Sequence, residues 1–298
     1  MEGISGINDW HQILYGCKEF EEFGRIQVTE DVNATIRGLR AAGATDVRVV
    51  DYHGSGGPHK NVIAEKLEKG AKLFQGPDLP NRLKEATDKS IDGAVLVGYH
   101  AMADTKDGFL RHTITPGPKI KINGKFVGET ALEAYALSEY GVPVIMATGD
   151  QALIREASAL LPGIETVQVK TSSDSKTTRC LPPSQARRLI ETVAERALLR
   201  VDEFKPLRIT KPFRIDVSFL NKEQADMSEI IPRTKRTGEN TVSYTAERWD
   251  EGDKFVRTTL SLANEAQMRT LLGKLSKLEG YGKISFEYAE ARINEWLS

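Results

Sequence analysis

The chain has 298 residues, of which 28% are charged and 40% hydrophobic, and a formal net charge of −1. That length admits one large domain or two ordinary ones, and the balance is that of a globular protein. A near-zero charge gives no general attraction to nucleic acid or to an anionic membrane, and no apolar run approaches the roughly 18 residues of a transmembrane helix.

No basic stretch followed by an apolar one marks a signal peptide at the N-terminus. Thr29-Glu30-Asp31-Val32 reads as a helix start, with Thr29 as N-cap and acids in the first turn. Val32, Ile36 and Leu39 continue it at helical spacing to Gly43. Residues 46–51 and, less clearly marked, 71–75 read as strands, and residues 81–89 as a helix. The small and apolar run Gly93-Ala94-Val95-Leu96-Val97-Gly98 suits a strand covered on both faces of a parallel sheet. Residues 120–127 form a hairpin whose Asn123-Gly124 supplies a type I′ turn. A helix over 129–140 ends at Gly141, a strand over 143–147 follows, and Asp150 caps the helix of Leu153, Ala157 and Leu160. Residues 165–169 are a strand and 183–201 a long helix. The polar stretch 172–178 is either near a site or simply solvated.

This alternation predicts an α/β fold, a mostly parallel sheet flanked by helices. Near Pro206 the texture changes. Residues 213–219 alternate as a half-exposed strand, 241–245 read as a second strand, 253–278 as mostly helix, and 284–286 are ambiguous. The expected organisation is therefore an α/β domain over 1–205 and a smaller α+β domain over 206–298, with the boundary in 204–211.

In open parallel sheets ligands sit beyond the carboxyl ends of the strands. His53 closes Val49-Val50-Asp51-Tyr52-His53, and His100 closes the apolar run at Gly98-Tyr99-His100. His112 follows in Phe109-Leu110-Arg111-His112, and Glu129 stands where a helix begins. Imidazole and carboxylate donors suit zinc, which lowers the pKa of bound water to about 7. Each has a plainer reading: a histidine after a strand is often an ordinary hydrogen-bonded residue, and an acid is favoured at a helix N-terminus. His59 reads as a loop residue, and His11 beside Trp10 has no evident partner. Cys17 and Cys180 are too few and too far apart for a disulfide scaffold or a thiolate site, and fit a reducing cytoplasm. Cys180 is a nucleophile candidate or a packed thiol. Gly54-Ser55-Gly56-Gly57 lacks the residues of a phosphate loop or a dinucleotide fingerprint, and no Gly-x-Ser-x-Gly elbow is present.

Taken together, Glu2-Gly3, Asp51-Tyr52-His53, Gly98-Tyr99-His100-Ala101, Arg111-His112-Thr113, Val127-Gly128-Glu129 and residues 143–150 resemble the zinc-dependent D-aminopeptidases. The resemblance covers most of residues 1–205 and, more loosely, the rest. It implies a cytoplasmic two-zinc aminopeptidase with an α/β core, acting on short peptides with an N-terminal D-amino acid and assembling as a homo-oligomer, a ring-like decamer. By matching position Glu2 and His100 would hold one zinc, His53 and Glu129 the other, and His112 would be the catalytic base or nucleophile. No nucleic-acid or membrane partner is implied.

One departure stands out. The family motif is Asp-x-Glu-Gly, and here Met1 takes the x position, so the bridging Asp would precede it. The expectation is a start assigned at an internal methionine of a longer protein, with Asp51 as a weaker substitute ligand. The alternative reading is a catalytically impaired member, serving as a small-peptide binding or assembly module.

Overall fold

The computed structural model describes residues 1–54, 60–76 and 79–297. In chain order α1 (Arg25–Ala41) leads to β1 (Arg48–Val50), β2 (Lys72–Phe74), α2 (Leu79–Ala86) and β3 (Ala94–Leu96). The hairpin of β4 (Lys119–Ile122) and β5 (Lys125–Val127) precedes α3 (Glu129–Ser138), β6 (Val144–Asp150) and α4 (Gln151–Leu160). Then come β7 (Glu165–Ser172), β8 (Thr178–Cys180) and α5 (Pro183–Leu199). The remainder is β9 (Phe213–Ser218), α6 (Lys222–Ser228), β10 (Lys235–Gly238), β11 (Thr241–Ala246), α7 (Trp249–Leu275) and α8 (Tyr281–Leu297).

The fold is α/β, as expected. β3, β6 and β7 run parallel in that order, with β8 antiparallel at the edge, and β1 and β2 form a separate parallel pair. Every residue of β6 is buried. Ile145 and Met146 join Ala186, Ile190 and Val193 of α5 in one apolar cluster, while Val144 and Ala147 join Leu137 of α3 and Ala157 of α4 in another. Covering on both faces explains why this strand reads as a continuous apolar run. Each large side chain so buried contributes about 1.5–3 kcal/mol.

The second sheet is antiparallel, ordered β10-β11-β9-β4-β5. Its hairpin turn has Asn123 at φ 49° and Gly124 at φ 80°, the left-handed pair that a type I′ turn demands. Ile120 lies opposite Val217, and α7 covers this sheet with Trp249, Phe255, Val256 and Leu260. The hairpin from the first expected segment is thus built into a sheet whose other strands follow residue 206.

Several local expectations are revised. α1 begins before Thr29, continuing a π-helical turn over Phe20–Gly24. Thr29 caps nothing: it lies inside the helix and donates to the Arg25 carbonyl at 2.7 Å. α7 starts at Trp249, residues 284–286 fall within α8, and β8, α6 and β10 had no clear sequence signal. Among the described residues no helix is long and apolar enough to cross a membrane.

Candidate metal centre

Glu2, His53, His100, His112 and Glu129 converge. Glu2 lies in the segment before α1, which is tied to the sheet end by the Gly3 N–H donating to the Gly98 carbonyl at 3.1 Å. His53 follows β1, His100 follows β3, and Glu129 opens α3. Glu2 Oε1 is 3.3 Å from His53 Nε2 and 4.0 Å from His112 Nε2. Glu129 Oε1 is 3.3 Å from His100 Nε2 and 3.9 Å from His112 Nε2. The His100 and His112 rings stack with centroids 4.0 Å apart.

Each imidazole has its other nitrogen occupied. Nδ1 of His100 lies 3.1 Å from the Ala101 carbonyl, and Nδ1 of His112 lies 2.7 Å from the Leu110 carbonyl. Nδ1 of His53 lies 3.3 Å from Asn61 Oδ1. In a neutral ring an Nδ1–H donated to an oxygen leaves Nε2 with the inward lone pair, which a metal takes in place of a proton. A carboxylate oxygen of Glu2 and the Nε2 atoms of His100 and His112 lie within 4.8 Å of one another. These oxygen and nitrogen donors, charged and neutral, are those zinc accepts, so the residues fit the ion.

The electrostatics follow from burial opposed by pairing. Burial alone would lower the His100 pKa, but Glu129 and Glu2 outweigh it and push it up to about 9. Burial would raise Glu129, but the charge and hydrogen bond of His100 pull it down to about 2. Glu2 is likewise held well below its ordinary value, against burial, by the Met1 ammonium and by His53 and His100. His112 is lowered, first by burial and then by the positive His100 ring. The pairs cross the two expected ligand sets: Glu2 leans on His53, and Glu129 on His100.

The loop carrying His112 is strained and braced. Leu110 at φ 46° and Ile114 at φ 65° occupy the left-handed region, costly for a β-branched side chain. The Ile114 N–H donates to Glu129 Oε1 at 2.7 Å, Phe109 N–H to Asp150 Oδ2 at 2.8 Å, and Leu110 N–H to the Ser175 carbonyl at 3.0 Å. The polar stretch 172–178 therefore supports this loop. Gly128 before Glu129 sits in a tight place, where a Cβ would lie 2.9 Å from the Met102 Cβ and would push the Glu156 carboxylate aside.

Asp51 is committed elsewhere. Its carboxylate accepts from Asn61 N and Nδ2, both at 2.7 Å, from Val62 N at 3.0 Å and from Gln75 Nε2 at 2.8 Å. It ties Asn61, Val62 and Gln75 to the end of β1 beside His53 and has no oxygen facing the cluster in these contacts. Cys180 Sγ points to the Ile7 carbonyl at 3.5 Å, a packed thiol. His11 is exposed, stacked on Trp10 and paired with Asp9. His59 and Ser55-Gly56-Gly57 lie outside the described residues.

Further supports were not read from the sequence. Lys170, 1% exposed in β7, donates to the Glu2 carbonyl at 2.7 Å and also to that of Ile7. Asp31, fully buried in α1, accepts from the Ser5 N–H at 2.8 Å and from Arg187 at 3.3 Å. Arg257 of α7 donates to the Tyr52 hydroxyl at 2.7 Å and to Asp253 at 2.9 Å. Tyr52 also lies beside Glu133, one turn beyond Glu129 on α3, whose pKa burial pushes up to about 8. The only sequence signal among these is a lysine within a strand whose neighbours are apolar.

A model of the D-aminopeptidase family matches residues 1–258. The D-aminopeptidase of Bacillus subtilis (strain 168) is 36% identical over 250 residues, covering 83% of this chain and 89% of that protein. A solved structure, the zinc-dependent D-aminopeptidase DppA from Bacillus subtilis, described as a self-compartmentalizing protease, superposes with a TM-score of 0.83 at 34% identity. That match covers 88% of this chain and 95% of the other. With the fold, the convergent histidines and carboxylates and these matches in agreement, the chain belongs to the D-aminopeptidase family, a family of hydrolases.

Proposed function

We propose that this chain is a cytoplasmic, homo-oligomeric metallo-aminopeptidase that cleaves the N-terminal D-residue from short peptides. In this reading residues 1–205 carry the metal chemistry, and the smaller unit of 206–298 shares its antiparallel sheet with the β4–β5 hairpin of the first. Each subunit takes two zinc ions, one on Glu2 and His100 and the other on His53 and Glu129, with His112 as the catalytic residue. The observation that carries it is the shared posture of the three imidazoles, each engaged at Nδ1 with Nε2 turned toward the two carboxylates. Zinc supplies Lewis acidity and water of lowered pKa at neutral pH.

The protein's own groups do the rest. The Leu110 carbonyl holds the His112 tautomer, so Nε2 is the atom that accepts a proton during attack and returns it to the leaving amine. Burial keeps that ring neutral and ready to accept. Glu2 and Glu129 hold negative charge against both histidines, and the braced 109–114 loop keeps His112 between them. Assembly into a decamer is what the family resemblance implies.

The test is zinc content and hydrolysis of D-alanyl and L-alanyl dipeptides by the wild type and His112→Ala. Two zinc ions per chain, preference for the D-peptide, and a loss of about 10²–10⁴-fold in the variant with zinc retained are expected. Full activity in His112→Ala, or in zinc-stripped protein, would overturn the assignment.

A further inference from the structure

α7 outruns the sheet it covers. Its buried residues stop at Ala266. Beyond that point Met268, Leu271 and Leu272 are 45–49% exposed, and Leu278 in the following turn is 61% exposed. In α8 Ile284, Phe286, Tyr288 and Ile293 are 54–68% exposed. Half of the large exposed apolar side chains in the described chain thus fall in this short C-terminal arm. The family match ends at residue 258, so the whole arm lies beyond it.

The pattern on α8 is unlike a solvated helix. Tyr281, Ile284 and Tyr288 recur at i, i+3 and i+7 along one flank, and Phe286 and Ile293 at i and i+7 along nearly the opposite one. A helix apolar on two flanks needs a neighbour on each. Its own α7, folded back across Gly280, would cover one flank and leave the other open.

We propose that the arm, residues 267–297, is a docking surface for the same arm of a second copy of this chain. At roughly 100 Å² each, the eight exposed side chains, taken over distal α7, the turn and both flanks of α8, offer an upper limit on the order of 800 Å² per copy, what one partner brings to an interface of standard size. The charges suit self-association. Lys274 at the end of α7 and Lys277 in the turn after it lie beside the apolar residues there, and Glu287, 3.9 Å from Lys283 of its own helix, and Glu290 lie along α8. An antiparallel, two-fold pairing sets the α8 acids of each copy against the α7 lysines of the other, a contact that closes on itself. This names one contact in the assembly proposed above and is independent of the catalytic reading.

The test uses the full chain, its mass measured by light scattering and its hydrolysis of a D-alanyl dipeptide in the same buffer. Ile284→Glu with Phe286→Glu halves the mass of the wild-type assembly and leaves activity per subunit within about twofold. Glu287→Lys with Glu290→Lys also lowers the mass, and adding Lys274→Glu with Lys277→Glu restores it. A wild type that is already monomeric, or an oligomer whose mass none of these variants changes, overturns the proposal. So does an unchanged mass with α8 protected from hydrogen exchange, which shows the arm folded on its own chain. A wild type without peptidase activity refutes the catalytic reading and leaves the mass result standing.

Discussion

Glu133→Gln isolates one buried carboxyl. Glu133 is 5% exposed on α3, beside Tyr52 and Arg257, and burial raises its pKa from 4.5 to about 8. A folded-state value above the unfolded one means that the protonated carboxyl favours the fold. That contribution is complete below about pH 4.5 and is lost as pH climbs toward 8. The loss runs at about 1.4 kcal/mol per pH unit, hence about 3 kcal/mol between pH 5.5 and 7.5. Glutamine keeps the shape and carries no titrating proton. Urea unfolding of chelator-treated wild type and Glu133→Gln at both pH values measures the difference directly. The variant should gain about 3 kcal/mol on the wild type across that interval, a relative midpoint shift on the order of 1 M urea. A stability gap that stays constant with pH, or moves the other way, would show that Glu133 is ionised in the fold and that its burial has been misjudged.

Arg257→Met removes the donor to Tyr52 and Asp253 and should cost about 1.5–3 kcal/mol, with zinc lost to a chelator sooner and Arg257→Lys restoring part of the resistance. Unfolding without any change in zinc retention would mean that the bridge does not reach His53. Lys170→Met deprives the Glu2 and Ile7 carbonyls of their buried donor; a destabilisation of about 1–3 kcal/mol per orphaned carbonyl should appear in thermal unfolding, together with weaker zinc binding. A variant as stable as the wild type would place water or another donor at those oxygens.

The strands with one environment along their length were legible. β6 is apolar throughout because helices cover both faces, and β4–β5 announce themselves through Asn123-Gly124. His53 and His100 could be picked out by their position after strands, whereas His112 sits in a loop with no strand directly before it. What escaped was set by partners distant in the chain. Thr29 and Asp31 have the composition of a helix start, yet they are spent on the Arg25 carbonyl and on Ser5. Asp51 resembles a ligand in sequence, and only Asn61, Val62 and Gln75 show that its oxygens are taken. Arg257 is an unremarkable residue of a long helix until Tyr52 is found beside it. Short elements such as β8 and β10 gain their structure from a neighbouring strand, which local pattern does not record.

The shared antiparallel sheet also orders events during synthesis. β4 finds its outer neighbour only in β9, about ninety residues later, and α3 with Glu129 follows β5 directly. The central parallel strands emerge from the ribosome well before β9 exists to receive the hairpin. α3 can already meet β6 and α4, where Leu137 packs with Val144 and Ala157, but the hairpin that leads into Glu129 gains β9 only once the chain has been made past Ser218, by a contact of long sequence separation that is slow to form. A nascent chain released before that point would carry all five site residues but leave β4 without β9, the strand that fixes the hairpin before Glu129.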